Sequence, residues 1–355
     1  MQKSKVLTTE ILKRYEQFWN HQDTDRPILS LYVHNKNTNW SAFTPSSPRD
    51  LWENLEARHA RLSYSTKNVK CYGEAMPSDF VNFGPGCLAA MIGSDYLPMP
   101  NTIWFGEEIT LLEDWANLKE VYLREDSPMY KLSTNLTKLF LEKNDGSYLV
   151  GITDLGGSLD ILASLRGTMS LLTDLHDNPE LALKAVEIID EIWIEVYKKL
   201  RKMIASYQHG HTTWLGPWCE TSYYPLQCDF GAMISPDDFE KFVMPSMRRT
   251  TDFLDQSIFH LDGPGMIAHL DQLLSLERMD GIQWVPGAGS DPVTDERWFP
   301  MYEKIQAAGK LLVLHCDGSG VDKILNICKN FSPKGLWLTA HFDSEEEAEE
   351  IIAKA

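Results

Sequence analysis

The chain has 355 residues, 43% of them hydrophobic and 24% charged, and a formal net charge of −18. This composition suffices for a sizeable globular core, and so acidic a surface excludes nucleic-acid backbones and anionic membranes as natural partners. The length exceeds one ordinary domain but suits an elaborated (β/α)8 barrel, and no linker or repeat divides it, so residues 1–355 read as a single domain.

Met1-Gln2-Lys3-Ser4-Lys5 leads into a mixed polar helical pattern rather than an apolar core, so no secretory signal is expected. The helical pattern before Pro27 forms an N-terminal extension. Residues 27–33 are a first buried strand, and Ser47-Pro48 then opens a helix with a serine cap. A second strand is expected over 69–75, followed by a long Gly/Pro loop over 82–104. The weakly charged stretch 80–106 is too broken by Gly, Pro and Asp95 to span a membrane. Residues 148–153 read as a third strand ending at Asp154. A long helix starts after Asp177-Asn178-Pro179, with Ala182, Val186, Ile189, Trp193, Val196 and Leu200 on a helical period. Residues 212–215 are a fourth strand with an aromatic loop behind it, and Ser235-Pro236-Asp237-Asp238 is a second capped helix start. Strands over 257–261, 281–285, 311–314 and 335–339 follow, with a helix at 266–276. Eight strands alternating with helices predict a closed parallel (β/α)8 TIM barrel with an N-terminal helical extension.

The six cysteines (71, 87, 219, 228, 316, 328) show no Cys-x-x-Cys and no framework spacing. Free thiols in a reducing cytoplasm are the expectation.

In a parallel barrel the chemistry gathers at the carboxyl ends of the strands. Here those ends carry His34, Asn82, Asp154, residues 214–220, His260 and Asp262, Gln283 and Trp284, His315 to Asp317, and His341. In a strand, residues two apart share a face, so His260 and Asp262 converge on one ligand, most simply a metal ion. His341 is the expected third ligand, with Cys316 or Glu220 as alternatives. The plain alternative for each histidine is a hydrogen-bonded, partly exposed side chain, and for Cys316 a small buried apolar residue. Glu220 and Asp154 are candidate catalytic acids. Asn82, Trp214, Trp218, Gln283 and Trp284 are candidate walls of a substrate pocket, where indole faces suit an aromatic group or a methylammonium; core packing is their plain alternative. No Gly-x-Gly-x-x-Gly, P-loop or Gly-x-Ser-x-Gly is present. Asp174-Leu175-His176 begins like a corrinoid-binding signature, but Pro179 stands where its glycine belongs.

Three further segments carry a resemblance: Asp154-Leu155-Gly156-Gly157-Ser158-Leu159-Asp160, Asp177-Asn178-Pro179-Glu180, and the Ser-Pro-x-x-Phe-x-x-Phe-x-x-Pro pattern from Ser235 to Pro245, preceded by Asp229-Phe230-Gly231. With these the chain resembles the uroporphyrinogen decarboxylase superfamily, closest to its corrinoid-linked methyltransferase branch. The resemblance implies a (β/α)8 barrel and, in that branch, zinc held by a His-x-Cys after strand five and a cysteine after strand eight. At those places this chain has His260, Asp262 and the neighbourhood of His341, and a glutamate ligand of more distant relatives falls near Gln283. The decarboxylase branch fits poorly: its arginine-rich turn is replaced by Tyr32-Val33-His34-Asn35-Lys36, and its catalytic aspartate region by Val81-Asn82-Phe83-Gly84.

The leading expectation is metal-assisted methyl transfer between a small methylated substrate and a corrinoid carried by a separate protein, with zinc or a similar divalent ion. A homodimer is compatible with it. The alternatives are a metal-free carboxylate acid–base enzyme using Asp154, Glu220 and Asp262, or a non-catalytic metabolite-binding relict of the fold.

Overall fold

The apolar runs that close on a histidine are all strands in the computed structural model, which describes residues 4–35, 38–106 and 110–355. Met1 to Lys3 and Lys36, parts of two segments used above, lie outside the described residues. The strands are β1 (Ile28–His34), β2 (Val69–Gly73), β3 (Ser78–Asp79), β4 (Tyr96–Pro98), β5 (Ile103–Phe105), β6 (Leu149–Val150), β7 (Tyr223–Gln227), β8 (Gln256–Asp262), β9 (Gly281–Val285), β10 (Leu311–His315) and β11 (Leu336–Phe342). They build an α/β fold on a seven-stranded sheet in the order β2-β1-β11-β10-β9-β8-β7. All its neighbours are parallel except β1 and β2.

The expected closed eight-stranded barrel is not made by backbone pairing among the described residues. β3 and β6 form a separate parallel pair, tied to the chain at Thr213 by a bridge from Ile152. Side chains span both gaps. The Tyr32 hydroxyl donates to the Met76 carbonyl at 3.1 Å, and the Tyr224 hydroxyl donates to the Thr153 carbonyl at 3.0 Å.

Several elements differ from the sequence reading. Residues 69–75 yield β2, which runs antiparallel: the helix Leu55–Lys67 returns the chain to the carboxyl end of β1, where Val69 pairs with His34. Of 148–153 only Leu149–Val150 is strand. Residues 212–215 carry a single bridge, at Thr213, and the sheet strand is β7, inside the segment read as a loop. β7 contains Pro225, which its edge position tolerates because one backbone N–H row needs no partner. The expected loop over 82–104 holds the buried helix Cys87–Ile92 and the β4–β5 hairpin. The helix expected over 266–276 is instead a 3-10 turn, Pro264–His269, followed by the short helix Leu270–Leu274. The serine-capped helix starts are as expected: Ser47 accepts from Asp50 N, and Ser235 from Asp238 N. The long helix runs Pro179–Ala205.

Strand alternation divides the apolar residues into two layers. Leu29, Leu31, Phe259, Leu261, Ile282, Leu312, Leu314 and Leu338 face the helices in the main core. Ile28, Ile258, Leu311, Val313 and Trp337 face the other way, into a second cluster. The N-terminal helix Thr9–Trp19 covers that cluster with Tyr15, Phe18 and Trp19, so the extension acts as a plug at the amino ends of the strands. Buried Glu74 locks it there by accepting from Arg26 at 2.8 Å, Arg14 at 3.3 Å and Leu29 N at 2.9 Å. All six cysteines are free thiols. Among the described residues no helix is long and apolar enough to cross a membrane.

Candidate metal and ligand site at the strand carboxyl ends

The register fixes which polar residues meet. Gln227, His260 and Gln283 lie side by side on β7, β8 and β9. His315 pairs with Thr339, and His341 with Tyr32. All of these therefore sit on the face opposite the helices. Trp284, one residue beyond Gln283, must point the other way. It is fully buried against Trp298 in the helix-facing core, so it walls no pocket on the polar face.

Asp229, His260 and Asp262 each offer a donor atom, all within 4.8 Å of one another. His260 Nε2 is 3.9 Å from Asp262 Oδ2. The other ring nitrogen, Nδ1, is hydrogen-bonded to Gln283 Oε1, and since that oxygen only accepts, Nδ1 carries the proton. Nε2 is then the ring atom that faces the carboxylates, the orientation in which an unprotonated imidazole can ligate a metal. Asp229 opens the 3-10 turn Asp229–Met233, and the Asp160 carboxylate accepts from Asp229 N at 3.1 Å and Phe230 N at 2.7 Å, anchoring that turn.

The site has an excess of negative charge. Burial pushes the Asp154 carboxyl up to about 6, against the pull of the Gly156 N–H and His260. Burial raises Asp160 as well, helped by the neighbouring Asp229 charge. Asp229 is also raised by burial, with His260 opposing and Asp262 adding. No Lys or Arg forms an ion pair with Asp154, Asp160, Asp229 or Asp262 among the described residues. Two carboxylates and an imidazole fit a hard or borderline divalent cation with open positions, rather than a thiol-activating thiolate site.

His341 does not join this group. β11 lies three strand spacings from β8, about 14 Å along a sheet. His341 Nδ1 instead meets His34 Nε2 at 2.7 Å, and its backbone N–H donates to Asp317 at 3.0 Å. Burial lowers its pKa, Asp317 opposes, and His34 adds to the lowering. These residues line a cavity of about 340 Å³ with His315, whose Nε2 donates to the Leu215 carbonyl at 3.0 Å. Trp214 stands at the boundary, its ring edge-on to His260 at 5.0 Å and lining the cavity.

Other expected site residues lie elsewhere. After Trp214 the chain folds back, and Cys219 pairs antiparallel with His211. This returns Trp218 and Glu220 toward the amino ends of the strands. Trp218 is buried beside Tyr15, and its carbonyl accepts from Trp19. Glu220 is exposed, 3.7 Å from His209, and is remote in the fold from His260. Asn82 accepts from Gly84 N at 2.8 Å and lines a separate cavity beside Arg58 and Asp79. Cys316 is fully buried, as its plain reading expects. Asp229 is the member of this cluster that sequence reasoning missed. The one sequence signal is an acid that opens Asp229-Phe230-Gly231, two residues after the strand that ends at Gln227.

No protein-family model and no curated protein matches the chain. Among solved structures, 15 chains match. One of them, a methyltransferase from Methanosarcina mazei, has a TM-score of 0.62, with 98% of both chains covered at 12% identity. The chain therefore shares the α/β fold of that structure over nearly its whole length.

Proposed function

We propose that this chain is a methyltransferase that moves a methyl group between a small methylated substrate and a corrinoid carried by a separate protein, assisted by zinc or a similar divalent ion. The convergence of Asp229, His260 and Asp262 at the carboxyl edge of the sheet carries the reading. The fold shared with a methyltransferase supports it. We read the chain as a cytoplasmic member of the uroporphyrinogen decarboxylase superfamily, with its sheet completed into a barrel by β3 and β6.

His260 through Nε2, with Asp229 and Asp262, would hold the metal. Bound there, such an ion supplies Lewis acidity toward an oxygen or nitrogen of the methyl donor. Gln283 fixes the imidazole tautomer. Asp154, with a pKa near 6, can give a proton to the departing group and take it back close to neutral pH. Trp214 excludes water from the side of His260 that it covers.

The test is metal retention combined with transfer. Protein exposed to zinc and then desalted should keep close to one equivalent and, supplied with a methylated amine or ether as donor, should methylate an added corrinoid protein reduced to the Co(I) state, releasing the demethylated donor. Retention below about a tenth of an equivalent would remove the metal from the mechanism.

A further inference from the structure

Beside Asp229, on the side away from His341, a second cavity of about 450 Å³ opens between β5, the strand end at Gln227 and the turn Asp229–Met233. That volume holds a small metabolite. Large apolar side chains line it and are exposed: Trp104 is 53% exposed and Met233 51%, and Phe105 lines it too. Its base is Asp160 and Asp229, and no Lys, Arg or His lines it among the described residues.

Gln227 also lines this cavity and is only 4% exposed. Its side-chain amide makes no hydrogen bond to any described residue. The amide therefore opens to the cavity, where a ligand that hydrogen-bonds it takes the place of water. The Asp160 carboxyl is already anchored by two backbone N–H groups, which fixes its position at the base of the cavity, and no Lys or Arg pairs with it among the described residues.

These features select a ligand class. An anion would meet two carboxylates. A neutral apolar molecule would leave Gln227 unpartnered and the carboxylate charge unmatched. An alkylated ammonium answers all three features: its charge faces Asp160 and Asp229, its methyl groups lie against indole and phenyl faces, and a hydroxyl or carbonyl on the same molecule reaches the Gln227 amide. We propose that this cavity binds an organic cation, an alkylated ammonium carrying one hydrogen-bonding group. This names the ligand class of the proposed methyl-transfer site, and rests on that reading for the ligand's fate but not for its binding.

Calorimetric titration with choline, tetramethylammonium and 3,3-dimethyl-1-butanol, the neutral isostere of choline, tests it on chelator-treated and zinc-loaded protein. Choline should bind at least about tenfold more tightly than the neutral isostere. Gln227→Leu and Trp104→Ala should each weaken choline by about tenfold or more, and circular dichroism would establish that both variants are folded. Trp104 is half-exposed, so its removal leaves the core intact. Equal affinity for choline and the isostere, binding of neither cation, or unchanged choline affinity in both folded variants would overturn the proposal. Asp262→Asn separates the two readings: it removes a metal donor that does not line this cavity, so choline binding should persist while zinc retention falls. If the unmodified protein binds choline but keeps no zinc, the metal mechanism fails and the cation site stands.

Discussion

Gln283 and His260 face each other across β9 and β8, and the amide oxygen of the first holds the Nδ1 proton of the second. Gln283 is almost completely buried, so no water competes for that bond. The consequence is a fixed ring orientation, with Nε2 directed to the side of Asp262.

Gln283→Leu keeps the volume of the side chain and removes the acceptor. Zinc affinity should fall by roughly 10–100-fold, while Gln283→Glu, which still accepts, should stay closer to the parent. Competition with a chromophoric chelator measures both. A leucine variant with parental affinity would show that His260 is not oriented through this bond.

The two histidines that sequence spacing suggested as partners should separate experimentally. His260→Ala should abolish zinc retention and His341→Ala should leave it near one equivalent, because His341 is bonded to His34 on the same face three strands away. Elemental analysis of the two desalted variants decides it. Loss of metal in the His341 variant would mean that the centre includes β11 after all.

What the sequence made legible was the alternation of the strands and the polar residues at their ends. Apolar runs closing on His34, His260, His315 and His341 are strands because one face must satisfy the helices while the other carries the polar set. Three things escaped. The pleat allows only one of Gln283 and Trp284 to face the site, so taking both as pocket residues ignored a period of two. The fold-back between His211 and Cys219 depends on a long-range pairing that no local pattern marks. Asp229 sits in a 3-10 turn anchored by Asp160, a contact 69 residues distant in sequence, so neither helical nor strand periodicity identifies it.

Trp284 and Trp214 offer a test of that parity. Trp284→Ala should cost about 3–5 kcal/mol of unfolding free energy, as for a large buried aromatic, yet leave the zinc affinity of the folded protein unchanged. Trp214→Ala touches His260 directly and should weaken zinc binding at a smaller cost in stability. Urea unfolding and zinc titration of both variants read this out. A metal defect in the Trp284 variant alone would place its ring on the wrong face here.

The acidic cluster sets the pH dependence. Asp154 has a native pKa of about 6 against an ordinary 3.8, because burial disfavours its charge. The native state therefore keeps a proton that the unfolded chain has already released between about pH 4 and pH 6. The stability associated with that proton is fully present below about pH 4 and is lost as pH rises through 6. Asp160 and Asp229 are raised too, so they act with the same sign. Asp154→Asn keeps an acceptor for Gly156 N but cannot titrate. The metal-free variant should therefore lose less stability than the parent on going from pH 4 to pH 7, by at most about 1.4 kcal/mol for each pH unit between the two pKa values. Asp280, also raised to about 6 at the opposite ends of the strands, is common to both proteins and cancels in the difference. A bound cation favours the ionised carboxylates, so the rise in melting temperature on adding zinc should grow over the same interval. Parallel stability curves for parent and variant, with a zinc increment independent of pH, would mean that Asp154 is not held protonated in the native site.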